Sequence, residues 1–176
     1  MKKILVVVDM QNDFISGSLG TNEATQIVNN VIEKINLYRN ENNPIIATKD
    51  THFNDTYLIS QEGVNLPVKH CIKETWGWEL ADGIKELINS NEIYEKNAFG
   101  SVEAMSKVAE LSKDDTTEVE FIGLCTDICV ISNVVILKAL APEVKVIVDS
   151  NCCAGVSPES HNRALESMKT LQVSIK

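Results

Sequence analysis

The sequence predicts an α/β fold, a parallel sheet with helices packed on both faces. Three observations carry that reading. Short β-branched runs alternate with helix-period segments along all 176 residues, as a parallel sheet with crossover helices requires. The first run, "KILVVVDM" (3–10), is apolar at successive rather than alternate positions, which suits a strand covered on both sides. The chain is 44% hydrophobic and 23% charged, enough apolar surface for one sizeable core. No repeat, low-complexity tract or linker divides it, so residues 1–176 read as a single domain.

The elements follow in order. After the first strand, a helix over 24–39 lines up Ile27, Val28, Val31, Ile32, Ile35 and Tyr38 on one face. "PIIATK" (44–49) is the second strand. An irregular stretch over 50–78 holds Gly63, Pro67, Gly77, two of the three histidines and both tryptophans. "WELADGIKELINS" (78–90) reads as a helix, "EIYEK" (92–96) as the third strand and 101–112 as a helix. "EVEFIGL" (118–124) is the fourth strand. Asp127 to Leu140 is a helix ended by Pro142, and "EVKVIVDS" (143–150) is the fifth strand. Ser157-Pro158 marks a helix start, with Ser as N-cap and Pro at the first helical position. "QVSIK" (172–176) closes the chain as a short strand.

Composition removes several function classes. Sixteen basic against 25 acidic residues give a net charge of −9, which disfavours nucleic acid and anionic membranes. The apolar run Ile4–Val8 is too short for a signal peptide core, and no stretch is long enough to span a bilayer. Five cysteines, an odd number, and no targeting signal point to reduced thiols and a cytoplasmic protein. Cys125 and Cys129 are not in C-x-x-C spacing, so zinc knuckles and thioredoxin-type motifs lose support. The loop "DMQNDFISGSLG" (9–20) is neither G-x-G-x-x-G nor a Walker A sequence.

In open parallel sheets ligands sit beyond the carboxyl ends of the strands. There the chain places Asp9 after strand one, Lys49, Asp50 and His52 after strand two, Lys96 after strand three, and Cys125 and Cys129 after strand four. Packing explains such a set poorly, because charged groups near a sheet need partners. A cysteine in the first turn of a helix feels the positive end of the macrodipole, and a neighbouring lysine lowers its pKa further. Asp13, four residues after Asp9, reads as a turn cap.

Together "VVVDMQNDF", "ATKDTH", "HCIKETWGWEL", the lysine of "YEKNAFGS" and "GLCTDICV" resemble the isochorismatase-like cysteine hydrolases, in their nicotinamidase-related amidase branch. The match runs over nearly the whole chain in the expected order. The resemblance implies a three-layer α/β/α fold whose six-stranded parallel sheet has the order 3-2-1-4-5-6. Strands one and four are then neighbours, and Asp9 meets Cys129 at the switch point. Strand three lies at the edge, so Lys96 has to reach across.

The resemblance further implies a Cys129 nucleophile, Asp9 as general acid and base, and Lys96 assisting. Backbone N–H groups of Cys125 and Cys129 form the oxyanion hole, with a cis peptide bond before Cys125. The product acid forms through a thioester after ammonia leaves. It also implies a divalent metal (zinc, iron or manganese) on Asp50, His52 and His70, with Glu62 of "SQEG" as a fourth ligand. His161 reads as structural, and Cys71, Cys152 and Cys153 as inert. Phe14 and Phe99 are candidate walls for a small planar amide such as nicotinamide. Pro67 stands where many nicotinamidases carry a tryptophan, and the loop after Lys96 is short. Trp76 and Trp78 replace those walls or belong to an interface. The family also implies a homo-oligomer, a dimer or tetramer. Three other readings remain open at this point: a vinyl-ether hydrolase of the isochorismatase type, a non-catalytic binder of small ligands, and a thiol redox protein using Cys125 and Cys129.

Overall fold

A computed structural model describes residues 2–113 and 116–176. It contains strands β1 (Lys3–Val8), β2 (Ile45–Asp50), β3 (Ile93–Lys96), β4 (Glu118–Leu124), β5 (Lys145–Ala154) and β6 (Ser174–Ile175). The helices are α1 (Asn12–Ile15), α2 (Asn22–Asn40), α3 (Gln61–Asn65), α4 (Val102–Leu111), α5 (Ile131–Leu140) and α6 (Pro158–Thr170). All six strands pair in parallel, in the order β3-β2-β1-β4-β5-β6, as the family resemblance implies.

The two faces of the sheet are filled by the alternating side chains of its strands. Leu5 and Val7 of β1 join Ile27, Val31, Ile35 and Tyr38 of α2 on one side. Ile4, Val6 and Val8 join Met105 of α4, Val134 and Leu137 of α5 and Met168 of α6 on the other. Each fully buried aliphatic side chain contributes about 1.5–3 kcal/mol relative to exposure. Helix starts follow side-chain chemistry. Thr21 accepts from Ala24 N at the head of α2, Ser101 from Ala104 N at α4, and Ser157 from Ser160 N at α6, with Pro158 in the first turn.

One expected element does not form. Residues 78–90 are not a helix but a chain of turns, with single 3₁₀ turns at Trp76–Trp78, Lys85–Leu87 and Ser90–Glu92. Leu80, Ala81, Ile84 and Ile88 are buried nonetheless, so the apolar spacing was real. Helical hydrogen bonding is lost because Leu80 pairs with Gln11, the Ala81 N–H donates to the Met10 carbonyl at 3.0 Å, and Gly83 has φ +81°. Smaller differences lie at boundaries. β5 runs on to Ala154, β6 is two residues long, and the helix expected from Asp127 opens with a wide π-type turn, Thr126–Val130.

A glycine allows the ends of β1 and β4 to come together. Gly123 pairs with Val8 in register and has φ +115°; a Cβ there would lie 2.1 Å from the Val8 carbonyl oxygen, so the close approach requires glycine. The next peptide bond but one along the chain, Leu124–Cys125, is cis. No helix of the described residues is long and apolar enough to cross a membrane.

Candidate active site

The carboxyl ends of β1, β2, β3 and β4 lie side by side, and the polar residues placed there by the sequence converge. Asp9 ends β1 with φ +47°, an uncommon conformation that Asp tolerates better than most residues. Its backbone is held by Thr48, whose carbonyl accepts from the Asp9 N–H at 3.2 Å. Thr48 Oγ1 also donates to Asp9 Oδ1 at 2.6 Å. Lys96 ends the edge strand β3, two inter-strand steps of about 4.8 Å from β1. The register pairs it with Asp50, and its stem passes Asp50 to reach Asp9. The ammonium lies 2.7 Å from Asp9 Oδ2, 3.4 Å from Asp50 Oδ1 and 3.6 Å from Cys129 Sγ. The contact with Asp9 Oδ2 is a buried ion pair, and no other protein group among the described residues hydrogen-bonds that oxygen.

The electrostatics differ from the sequence expectation at one point. Macrodipole and lysine were expected to lower the Cys129 pKa. Instead burial, and then the Asp9 carboxylate, hold the thiol well above its ordinary value, with Lys96 opposing. The sulfur is buried, and desolvation of a thiolate outweighs the favourable charges. Burial likewise raises the Asp9 carboxyl against the pull of Lys96. For Lys96, burial works against the cation, but the carboxylates of Asp9 and Asp50 oppose it and keep the ammonium charged. The proton therefore rests on sulfur, next to a carboxylate able to take it.

Beside this trio, Asp50, His52, Glu62 and His70 each offer a ligand atom, all within 4.8 Å of one another. His52 Nε2 is 2.9 Å from Asp50 Oδ2 and 3.7 Å from Glu62 Oε2; His70 Nε2 is 3.6 Å from Asp50 Oδ2 and 3.4 Å from Glu62 Oε1. His70 Nδ1–H donates to the Val68 carbonyl at 2.9 Å, which leaves the Nε2 lone pair facing two carboxylates. A proton or a divalent cation satisfies that geometry, and two imidazoles with two carboxylates suit zinc, iron or manganese. With a proton there, burial opposes the charge, but hydrogen bonds to Asp50 and Glu62 outweigh it and push His70 up to about 10. Burial opposes the Asp50 charge too; hydrogen bonds from His52 and His70 and the Lys96 charge hold its carboxyl well below the usual range.

Between the two groups opens a pocket of about 820 Å³, lined among others by Cys129, Cys125, Asp50, His52, Phe14 and Phe99. Both phenylalanines named from the sequence are walls. The tryptophans are not. Trp76 is exposed, and Trp78 lies under Lys49, whose Nζ is 3.0 Å from the ring centroid, while Trp78 Nε1–H donates to Thr51 Oγ1 at 2.8 Å. Asp13 accepts from the N–H groups of Ser18 and Cys71, as a turn cap does. His161 Nδ1 hydrogen-bonds Thr126 Oγ1 at 2.8 Å, in keeping with a structural role. Burial pushes the thiols of Cys71, Cys152 and Cys153 upward, Cys152 to about 12.

Three buried positions were missed by sequence reasoning. Thr48 fixes Asp9. Gln11 brackets Asp50, accepting from its N–H at 2.7 Å and donating to its carbonyl at 2.8 Å. Asn133 accepts from Ser101 N–H at 2.9 Å and donates to the Cys129 carbonyl at 2.8 Å, tying the loop after Lys96 to the turn that carries the thiol. "DMQNDF" contains Gln11, but nothing in the string marks its role.

The model of the isochorismatase domain matches residues 3–175. A nicotinamidase from Saccharomyces cerevisiae is 27% identical, with 98% of each chain covered. A protein of Arabidopsis thaliana described as a probable inactive nicotinamidase is 31% identical over 96% of this chain and 89% of its own. Among solved structures, pyrazinamidase of Pyrococcus horikoshii in complex with zinc superposes with a TM-score of 0.82 at 26% identity, covering 100% of this chain and 99% of its own.

Proposed function

Because the chain belongs to the isochorismatase family, we propose that it is a cysteine amidase that cleaves a small carboxamide, nicotinamide or a relative of it, to the acid and ammonia. The observation that carries this reading is the trio behind the pocket wall: Cys129 lines the pocket, and beneath it one ammonium lies 2.7 Å from the buried Asp9 carboxylate and 3.6 Å from the Cys129 sulfur. The names of the yeast and Pyrococcus relatives support the reaction class.

In the proposed reaction the Cys129 thiol gives its proton to Asp9 as Sγ attacks the amide carbonyl carbon. Backbone N–H groups of Cys125 and Cys129 receive the oxyanion. The tetrahedral adduct collapses, Asp9 returns the proton to nitrogen, and ammonia leaves a thioester. Water then attacks the thioester, Asp9 takes a proton from it, and the acid departs as the thiol is restored. Lys96 opposes the burial that raises Asp9 and so favours its ionised form between these transfers. Asp50, His52, Glu62 and His70 fit a divalent cation, which when bound supplies a Lewis acid that fixes a polar atom of the substrate. Five free thiols suit a reducing compartment; a cytoplasmic location and self-association complete the reading, checked by cell fractionation and light scattering.

An ammonia-release screen over small carboxamides, with and without added zinc or manganese, tests the proposal. Cys129→Ala is expected to lower kcat by at least about a thousandfold while leaving metal uptake intact. A folded protein that releases ammonia from no carboxamide sinks the reading. The vinyl-ether alternative is disfavoured by the lining itself: no lysine or arginine is among the residues that line the pocket, whereas a dicarboxylate substrate needs cationic partners.

A further inference from the structure

The shape of the pocket narrows the substrate beyond the amide class. We infer that this site, read as an amidase as above, takes a carboxamide carrying an uncharged apolar arm on the side away from the amide, rather than a bare single ring. Three observations support it. The cavity of about 820 Å³ stands high in the range of about 300–1,000 Å³ typical of sites for drug-sized ligands, and a single-ring amide leaves most of it unfilled. The lining holds the reacting thiol and the ligand cluster, which are buried or half-buried, and also exposed residues: apolar Phe53, Leu66, Phe99 and Val156, 53%, 37%, 48% and 57% exposed, beside the exposed polar Thr56, Gln61, Asn65 and Asn97. Exposed apolar walls at the mouth of a cleft mark a surface that a ligand covers. Finally, away from the ligand cluster the lining holds no cationic side chain, in a chain of net charge −9, so an arm directed away from that cluster finds no partner for an anion.

The arm lies along Phe53 and Val156 while the amide carbonyl meets Cys129. Covering apolar wall with each added methylene is expected to raise kcat/KM roughly threefold over the first few carbons, until the arm emerges into solvent.

The test is a series of benzamides bearing hydrogen, ethyl, butyl, phenyl or carboxylate at the ring position opposite the amide. Ammonia release is measured with the zinc-loaded wild type, and affinity by calorimetry with Cys129→Ala. Support is a rise in both kcat/KM and affinity along the apolar series, a loss with the carboxylate, and a Phe53→Ser variant in which the butyl advantage shrinks severalfold. Turnover of bare benzamide with values flat or falling along the series overturns the inference and leaves the amidase reading standing. Affinity that climbs with the arm while no amide is hydrolysed upholds the inference and removes the amidase reading. No binding and no turnover across the series ends both.

Discussion

With burial and the Asp9 carboxylate both holding the Cys129 thiol up, the resting sulfur keeps its proton, and the proposed attack depends on Asp9 to remove it. Asp9→Asn separates the two effects of that carboxylate. Loss of the base is expected to lower ammonia release about 10²–10⁴-fold. Loss of the negative charge lowers the thiol pKa, so alkylation of Cys129 by iodoacetamide at pH 8, mapped by mass spectrometry, should accelerate. Both rates falling together would contradict the assignment. Asp9 and Cys129 were visible in the sequence because an acid and a thiol at strand ends stand out, whereas Lys96 was singled out by the family resemblance, since a lone lysine there otherwise reads as a surface residue. Thr48, Gln11 and Asn133 were not, since an uncharged polar side chain shows its purpose only once it is buried between partners. The direction of the Cys129 shift was equally hidden. A helix start is written in the string, but enclosure of the sulfur beside Asp9 depends on four strands meeting.

Strand β4 turns on Gly123, which meets the Val8 carbonyl of β1 and has a backbone conformation that side chains rarely adopt. Gly123→Ala is expected to cost more than about 1 kcal/mol of stability, read as a lower urea midpoint, and to reduce activity further by moving Asp9 from the thiol. The strands themselves were legible because unbroken β-branched runs admit few alternatives. Helix α2 was legible from its apolar face, though it begins at Asn22 under a Thr21 cap, two residues before the expected start. Residues 78–90 show the limit of that logic. Their apolar spacing correctly marked Leu80, Ala81, Ile84 and Ile88 for burial, but the backbone N–H and C=O groups were claimed by the loop after β1. A periodic pattern reports which side chains go inward, and hydrogen bonds to distant segments decide the conformation that takes them there.

The molecule also carries a charged knot on the face opposite α4 and α5. Glu120 of β4 accepts from Lys34 at 2.8 Å, from Tyr38 at 2.5 Å and from Lys176 at 3.0 Å, and Lys34 also pairs with Asp149 at 2.6 Å. Burial opposes the Glu120 charge, but those partners hold its pKa below the ordinary value of 4.5. A depressed carboxyl contributes stability that is fully present above its unfolded pKa and is lost as pH falls through the folded one. Urea midpoints are therefore expected to fall below about pH 4.5, and Glu120→Gln to lower the midpoint at pH 7 and flatten the acid slope. An unchanged slope would show that other carboxylates govern acid unfolding. On the basic side, Lys34 is raised by its partners despite burial, so its contribution holds at neutral pH and fades only as pH rises past its folded value.

Because the ligand cluster is assembled from the end of β2, the residues just after it, α3 and the loop that follows, a cation bound there stabilises the whole chain by mass action, about 2.7 kcal/mol at a hundredfold excess over Kd. The stacking of Trp78 under Lys49 gives that event an optical signature. Lys49 and Thr51, which hold the indole from above and at its nitrogen, flank Asp50 in the chain. A shift of Asp50 on loading is relayed to the chromophore, so zinc added to chelator-treated protein should alter the fluorescence spectrum, with Trp76→Phe retaining the response and Trp78→Phe abolishing it. A cation taken up there would thereby be read out without a label.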